Sequence, residues 1–374
     1  MCGDQNPITV DDTVATERPR IAVFGAGLMG TAIAAVFLKA HFPVMLFDPS
    51  PSAISSAVDR VCGELEKMRP GHSQKTLLTQ LVCTENLMEM DGCRIFLESV
   101  TEKIRVKQRL YRKIFAFLNQ RTLLLTNTST ISIGMLAESL DTPSRYCGFH
   151  FFHPVHERSL VEIIRGPQTS GETIQEMVGF AQSIGKTPLV VNDGPGFLVN
   201  RLLNPYLASA LDLLLEGAEI SQIDTAAQQF GMAMGPFRIM DEIGLDVVLH
   251  GGWTLFKAFP DRVLPSPILL EMVRLGYLGR KAGQGFMKYD SAISWNTVGK
   301  PNSVTEELIR QKRTEANRKT ERKSADEVTA RLIGGMREEG FRILEDKIVD
   351  SPAEVNLAVK LGLGFPKEKD FWTV

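Results

Sequence analysis

The chain has 374 residues, 44% of them hydrophobic, with 42 basic against 44 acidic side chains and a formal net charge of −2. That length carries two or three domains with ample core, and the near-neutral balance gives no reason to expect nucleic acid as a partner. No apolar stretch is long enough to span a bilayer. Cys2, Cys62, Cys83, Cys93 and Cys147 are scattered without C-x-x-C spacing, which favours reduced thiols in a reducing compartment.

Residues 1–19 carry Asp4, Asp11, Asp12 and Glu17. They resemble neither a secretory signal nor an Arg-rich transit peptide and read as a flexible arm. Next, Ile21-Ala-Val-Phe24 reads as a buried parallel strand and Met29 to Ala40 as an apolar helix. Gly25-Ala-Gly-Leu-Met-Gly30 lies where the one turns into the other. Gly25 allows the tight turn, Gly27 lets backbone approach a pyrophosphate, and Gly30 lets the helix pack on the strand. Free amides and the positive end of the helix dipole favour phosphates. Val44-Met-Leu-Phe47 is a second apolar run, closed by Asp48, eighteen residues after Gly30. A carboxylate there suits the ribose hydroxyls of NAD and repels the phosphate of NADP. A lone G-x-G-x-x-G can be no more than a glycine-rich turn. Strand, helix, second strand and acid in order point to a dinucleotide, with NAD as the cofactor.

The alternation of short apolar runs and helical stretches continues. Arg94-Ile-Phe-Leu97 and Thr122 to Thr126 read as buried strands with a helix, Val106 to Leu118, between them. Tyr146 to His150 and Leu189-Val-Val191 read as further strands. The pattern predicts an α/β, doubly wound sheet of Rossmann type over 20–199, with ligands outside the carboxyl ends of its strands. Asn127 to Ser129 and His150 sit at two such ends. After Gly194-Pro-Gly196 an apolar stretch of helical period, Phe197 to Glu216, opens an all-α domain expected over 200–290. The polar stretch 291–324 reads as a linker. Its Arg- and Lys-rich part, Glu306 to Lys323, has no interleaved aromatics and reads as a solvated helix face rather than a nucleic-acid or membrane patch. In 325–374, Phe341-Arg-Ile-Leu-Glu345 and Leu361-Gly-Leu-Gly-Phe-Pro366 echo Leu211 to Glu216 and Phe230 to Pro236. That suggests a partial second helical repeat, the alternative being coincidence between two amphipathic helices. Phe371-Trp-Thr-Val374 is not an S-K-L address.

His150 is followed twelve residues later by Glu162. A histidine at a strand end above a dinucleotide can take a hydroxyl proton as hydride leaves the same carbon, because imidazole titrates near neutrality. A carboxylate on its far nitrogen would fix the tautomer, and Glu162 in its apolar run needs a partner. The residues alone also allow a core histidine and a helix-face acid. His150, His153 and His156 invite a metal reading, but Pro154 interrupts any shared helix face and no Cys or acid completes a ligand set, so no metal is expected. Ser129 could cap a helix from Ile131 onward or donate to substrate, and Asn200 could be only a helix cap. A nucleophilic Ser or Cys triad has no local signature.

Together these motifs resemble the L-3-hydroxyacyl-CoA dehydrogenase family over Arg20 to Asp290, with the dehydrogenase part of the peroxisomal multifunctional enzyme as the nearest likeness. The resembling stretches include Gly25 to Gly30, Glu98-Ser-Val-Thr-Glu102 with Lys107, and Thr126-Asn-Thr-Ser129. They continue through Gly148-Phe-His-Phe-Phe152, Gly194-Pro-Gly-Phe197, Asn200 to Tyr206, Met234-Gly-Pro-Phe237 and Gly279 to Phe286. The resemblance implies that His150 is the catalytic base, Glu162 its orienting acid, and Ser129 and Asn200 the groups that hold the substrate's 3-oxygen. It implies NAD contacts from Gly25, Gly27, Leu28, Met29, Gly30 and Asp48. Glu102, Lys107, Asn127, Ser129 and Lys281 join them, the last implying that the helical domain closes over the cofactor.

The implied reaction is oxidation of an L-3-hydroxyacyl-CoA thioester to the 3-ketoacyl-CoA in fatty-acid β-oxidation, in peroxisome or cytoplasm, without the hydratase step. A homodimer through the helical domain is the implied partner arrangement. The chain departs from the family pattern at His153, where many members have Asn, and at Arg158-Ser159, where they have Met-Lys. Its helix after Asp48 lacks the Ser and Lys that meet CoA in some members. Two other readings stay open: a dehydrogenase of the same architecture on another 3-hydroxy acid, and a non-catalytic NAD-binding structural protein.

Overall fold

The computed structural model describes residues 18–289, 299–317 and 321–374. Most of the expected arm, part of the expected linker and Asp290 lie outside those residues. The first half runs β1 (Ile21–Phe24), α1 (Leu28–Lys39), β2 (Val44–Phe47), α2 (Pro51–Ser55), α3 (Ala57–Met68), α4 (Lys75–Leu78) and β3 (Leu81–Thr84). It continues with β4 (Ile95–Glu98), α5 (Ile104–Ile114), β5 (Leu123–Thr126), α6 (Ile133–Ala137), β6 (Tyr146–Phe151), β7 (Leu160–Arg165), α7 (Gly171–Ser183) and β8 (Thr187–Asn192). One eight-stranded sheet results, in the order β3-β2-β1-β4-β5-β6-β7-β8. All neighbours are parallel except β6 and β7. The doubly wound sheet is present, and its chain order reverses at β1, between β2 and β4. Crevices at such reversals are where dinucleotides bind.

The expected strands all form, within a residue or two. Two strands of this sheet were not anticipated. β3 (Leu81–Thr84) is a short edge strand of which only Thr84 is buried, and β7 is the apolar run around Glu162. That acid is therefore on a strand and not on a helix face. The expected helix Val106 to Leu118 is shorter at its end: α5 stops at Ile114 and a 3₁₀ turn, Phe115–Phe117, follows.

The second half is helical: α8 (Val199–Leu215), α9 (Ile220–Phe230), α10 (Pro236–Ile243), α11 (Leu245–Ala258) and α12 (Pro267–Arg274), then a small hairpin of β9 (Met287–Lys288) and β10 (Lys300–Pro301). α13 (Ser303–Ala316), α14 (Ala325–Glu345) and α15 (Pro352–Gly362) complete it. The linker reading of 291–324 is corrected over 303–316. There α13 buries Leu308 and Ile309 together with Thr305, three and four residues earlier, on one stripe. Its ion pairs (Arg310 with Glu307, Lys312 with Glu315) are on the solvent side, as expected, while Arg313 turns inward and donates to the carbonyls of Leu214 and Ala218 at the end of α8.

The stretch expected to be a partial repeat, 325–374, contains two helices. α14 begins with a capping box from Ser324 and Glu327 and buries Val328, Leu332, Ile333, Met336 and Ile343 along its length. It packs along α8 and α9. The sheet face carrying Phe24, Phe96 and Tyr146, covered by Tyr111 of α5, shares one continuous core with these helices, whereas α1, α3 and α7 cover the opposite face. The loop after β5 and the β6–β7 pair meet the start of α8.

Candidate active site

The nucleotide-binding turn has the shape its glycines imply. Gly25 has φ +102°, and a Cβ there would lie 2.6 Å from the Ser99 carbonyl oxygen at the end of β4. A Cβ on Gly30 would collide with the Gly25 carbonyl. α1 starts at Leu28 with no side-chain cap and no acid in its first turn, so its amides are free for an anion. Leu28 is 62% exposed at the mouth and Met29 half-buried. At the end of β2, Asp48 accepts from Ala26 N and Ser50 N, each at 2.9 Å, which ties the acid to the turn. Cradle, bare helix start and adjoining acid fit a dinucleotide.

His150 and Glu162 are directly opposed in register across the antiparallel β6–β7 pair. Opposed residues share a face, so the twelve-residue spacing brings them together through one hairpin. Nδ1 of His150 is 2.8 Å from Oε2 of the fully buried Glu162. The other carboxylate oxygen accepts from Leu198 N at 3.2 Å and Val199 N at 2.9 Å, the amides that open α8. Glu162 therefore caps α8 from a neighbouring strand, where the helix dipole favours its charge. Phe197, at φ +52°, makes the left-handed step that turns those amides toward it. Phe152 and Phe197 flank the imidazole, with ring centroids 4.6 and 6.1 Å away.

On the far side, Nε2 of His150 is 3.1 Å from Ser129 Oγ. Ser129 is not a helix cap: Ser132 caps α6 by accepting from Met135 N. Asn200 lies inside the first turn of α8, and its Nδ2 donates to the Ser129 carbonyl at 3.1 Å. His150, Glu162, Ser129 and Asn200 thus form one connected cluster. Asn127 accepts from Phe151 N at 2.8 Å and ties β5 to β6 beside it.

The Ser129 loop is held from below. Glu102 Oε1 accepts from Ser129 N at 2.9 Å, Thr130 N at 3.1 Å and Thr128 Oγ1 at 2.5 Å. Burial alone would raise this carboxyl, but Lys107 and those hydrogen bonds outweigh it and hold it below the usual carboxylate value. Lys107 is only 1% exposed, with Nζ 2.7 Å from Glu98 and 3.3 Å from Glu102. It is not open to a ligand and acts on the site through Glu102. Glu98, to which the sequence reading gave no role, also accepts from Val100 N, Tyr111 and Thr126. An acid ending an otherwise apolar strand was the available signal.

Lys281 is apart from this cluster and pairs with Asp246 in the helical domain at 2.5 Å. Of the three histidines, His150 faces Glu162, whereas His156 faces Glu64 of α3. Burial, with Lys67 and His156 nearby, lowers His153 below the usual histidine value against the pull of Glu64. A cavity of about 740 Å³ lies elsewhere, between α8, α11 and α14, and none of His150, Glu162 or Ser129 lines it.

Residues 20–194 match the family described as 3-hydroxyacyl-CoA dehydrogenase, NAD binding domain, and residues 196–289 match its C-terminal domain. The chain is 38% identical over 354 residues to the fatty acid oxidation complex subunit alpha of Acinetobacter baylyi, covering 92% of this chain and 49% of that protein. It therefore spans about half the length of that relative. The crystal structure of 3-hydroxybutyryl-CoA dehydrogenase from Escherichia coli K12 superposes with TM-score 0.80 at 25% identity, covering 93% of this chain and 89% of that one. The dehydrogenase part of multifunctional enzyme 1 from C. elegans superposes with TM-score 0.64 at 27% identity, covering 96% and 83%. With the nucleotide-binding sheet and the helical domain both matched, the chain belongs to the 3-hydroxyacyl-CoA dehydrogenase family of NAD-dependent oxidoreductases.

Proposed function

We propose that the chain oxidises L-3-hydroxyacyl-CoA thioesters to 3-ketoacyl-CoA as the dehydrogenase step of fatty-acid β-oxidation. The observation that carries the reading is the orientation of His150. Its Nδ1 is committed to buried Glu162, so in the neutral ring Nε2 is the acceptor, directed at Ser129 Oγ and the open end of β6. Nε2 takes the proton of the 3-hydroxyl as the C3–H bond breaks and the carbonyl forms. Glu162 stabilises the resulting imidazolium. Ser129 Oγ and Asn200 Nδ2 are positioned to donate to the 3-oxygen, and in the reverse direction the imidazolium returns the proton. NAD, when bound along Gly25 to Gly30 and Asp48, supplies the acceptor for the hydride. Asn127, Glu102 and Lys281 complete the proposed cofactor set, with Lys107 acting through Glu102.

The Acinetobacter relative is bacterial, so the chemistry carries no compartment of its own. The same reading includes a homodimer through the helical domain, supported by Val247 on α11, Leu264 in the loop after it and Leu270 on α12, which expose apolar surface. The mass of the chain in solution tests that part. The reaction is tested by following NADH absorbance against a ladder of 3-ketoacyl-CoA thioesters and against free 3-keto acids. Turnover confined to thioesters is expected. Turnover of free acids alone would replace the substrate class, and NADH binding without any turnover would leave a nucleotide-binding structural protein.

A further inference from the structure

One buried charge beside the site has no part in the chemistry above. Arg201 follows Asn200 in the first turn of α8 and is 1% exposed. A cation at a helix start opposes the dipole, and a buried one without partners is costly. Its partners come from the far end of the chain. Nε donates to Glu339 Oε1 at 2.7 Å and Nη2 to Asp346 Oδ2 at 2.9 Å, while the guanidinium lies over the Phe259 ring at 4.9 Å. Glu339 is on α14 and Asp346 directly after it.

The residues that follow grip the other side of the same junction. Asn192, the last residue of β8, donates from its backbone to the Ile348 carbonyl and from Nδ2 to the Lys347 carbonyl, each at 2.8 Å. A Cβ on Gly194 would sit 2.6 Å from Ile348 Cδ1. The end of α14 and its following turn thus bracket residues 192–201, the segment joining the sheet to α8. That segment carries both amides that hold Glu162 and the side chain of Asn200.

We propose that Arg201 is a positioning residue for the reaction: clamped by Glu339 and Asp346, it fixes the first turn of α8 and thereby the His150–Glu162 pair and Asn200. Both acids lie outside the matched residues 20–194 and 196–289, so the C-terminal segment, and not the family's two domains, supplies the clamp. The inference rests on the function proposed above. Its physical basis is that a displacement of about 1 Å at a reacting group can cost roughly a hundredfold in rate.

The test pairs Arg201→Met with Glu339→Leu, so that neither charge is left unpaired in the core. Asp346, with its side chain 38% exposed, stays hydrated. Apolar replacement of a buried ion pair is often neutral for stability. With NADH and a 3-ketoacyl-CoA thioester, kcat of the folded double variant should fall about tenfold or more while both KM values stay within about twofold. Arg201→Lys, which keeps the charge, should recover at least about a third of native kcat. A folded double variant with native kcat, or a loss shared equally by kcat and the folded fraction, overturns the proposal. Should the double variant not fold, Asp346→Asn removes only the partly exposed partner. A kcat drop of about threefold at unchanged KM is then expected, and native kcat overturns the proposal. The native chain is the control: no turnover by it sinks the functional reading, whereas native turnover with unaffected variants sinks only the role of Arg201.

Discussion

Two buried acid–base clusters sit at neighbouring strand ends and differ in what they leave open. At β4, Lys107 is enclosed by Glu98 and Glu102, and Glu98 further collects Tyr111, Thr126 and a backbone amide. Every polar atom there has a partner inside the fold. At β6, Glu162 is equally enclosed, but His150 keeps Nε2 on a loop hydroxyl beside the ligand crevice. Burial and pairing are shared by both, so neither marks a catalytic group. The distinguishing property is a titratable nitrogen whose second partner can be exchanged for substrate.

The two clusters should therefore fail in opposite ways. The largest kinetic effect is expected from His150→Gln. General acid–base catalysis contributes about 10²–10⁴-fold, so turnover should fall by about that factor while NADH affinity is nearly unchanged. Wild-type turnover in this variant refutes the assignment. Glu162→Gln should cost roughly a hundredfold, because the amide no longer selects the Nδ1–H tautomer or stabilises the imidazolium. An unchanged rate would leave Glu162 as the cap of α8 and nothing more.

Lys107→Met should act on the other axis. Removing one member of a buried pair leaves Glu98 uncompensated and costs about 3–5 kcal/mol in such cases. Denaturant unfolding should register that loss, while kcat in native buffer falls less than tenfold because the Ser129 loop still bonds to Glu102. A kinetic loss as large as that of Glu162→Gln would erase the distinction between the clusters.

How far the sequence showed this depended on whether a residue's partner is local. The glycine turn, Asp48 and the strand ends were legible because strand, turn and helix are contiguous from Ile21 to Lys39. His150 with Glu162 was recognisable from twelve residues of spacing, but the reason for it, two antiparallel strands in register, depends on reading Leu160–Arg165 as a strand. Up to Ile164 that run is apolar throughout except for the acid, so it shows no alternation. Contacts across long separations were not legible. Lys107 read as a cofactor contact because nothing in the sequence shows that Glu98 and Glu102 close around it. α13 fell within the expected linker, with only a solvated helix face expected from Glu306 on, because just Leu308, Ile309 and Thr305 are buried in a run that is otherwise largely charged and polar. Arg201 gave no sign at all of Glu339, 138 positions away.

The smallest effect separates a third buried cation from both clusters. Lys186 is 9% exposed, and its Nζ donates to the carbonyls of Val155 and Arg158 at 2.6 and 2.7 Å, holding the loop between β6 and β7 without a carboxylate. Burial, with Lys39 nearby, pulls it from the ordinary 10.5 to about 8. Because the folded value is below the unfolded one, between those pH values the unfolded chain keeps a proton that the folded chain has released. Unfolding then takes up a proton, and stability must rise with pH through that window. Below pH 8 both states are charged and the contribution is flat. The difference in unfolding free energy between the native chain and Lys186→Met should therefore be constant from pH 6 to 7.5. It should then grow in favour of the native chain by about 1 kcal/mol per pH unit toward pH 10. A difference that stays level across the whole range would mean that the two carbonyls keep this lysine charged in the fold, and the loop beside His150 would have no pH-dependent fastening.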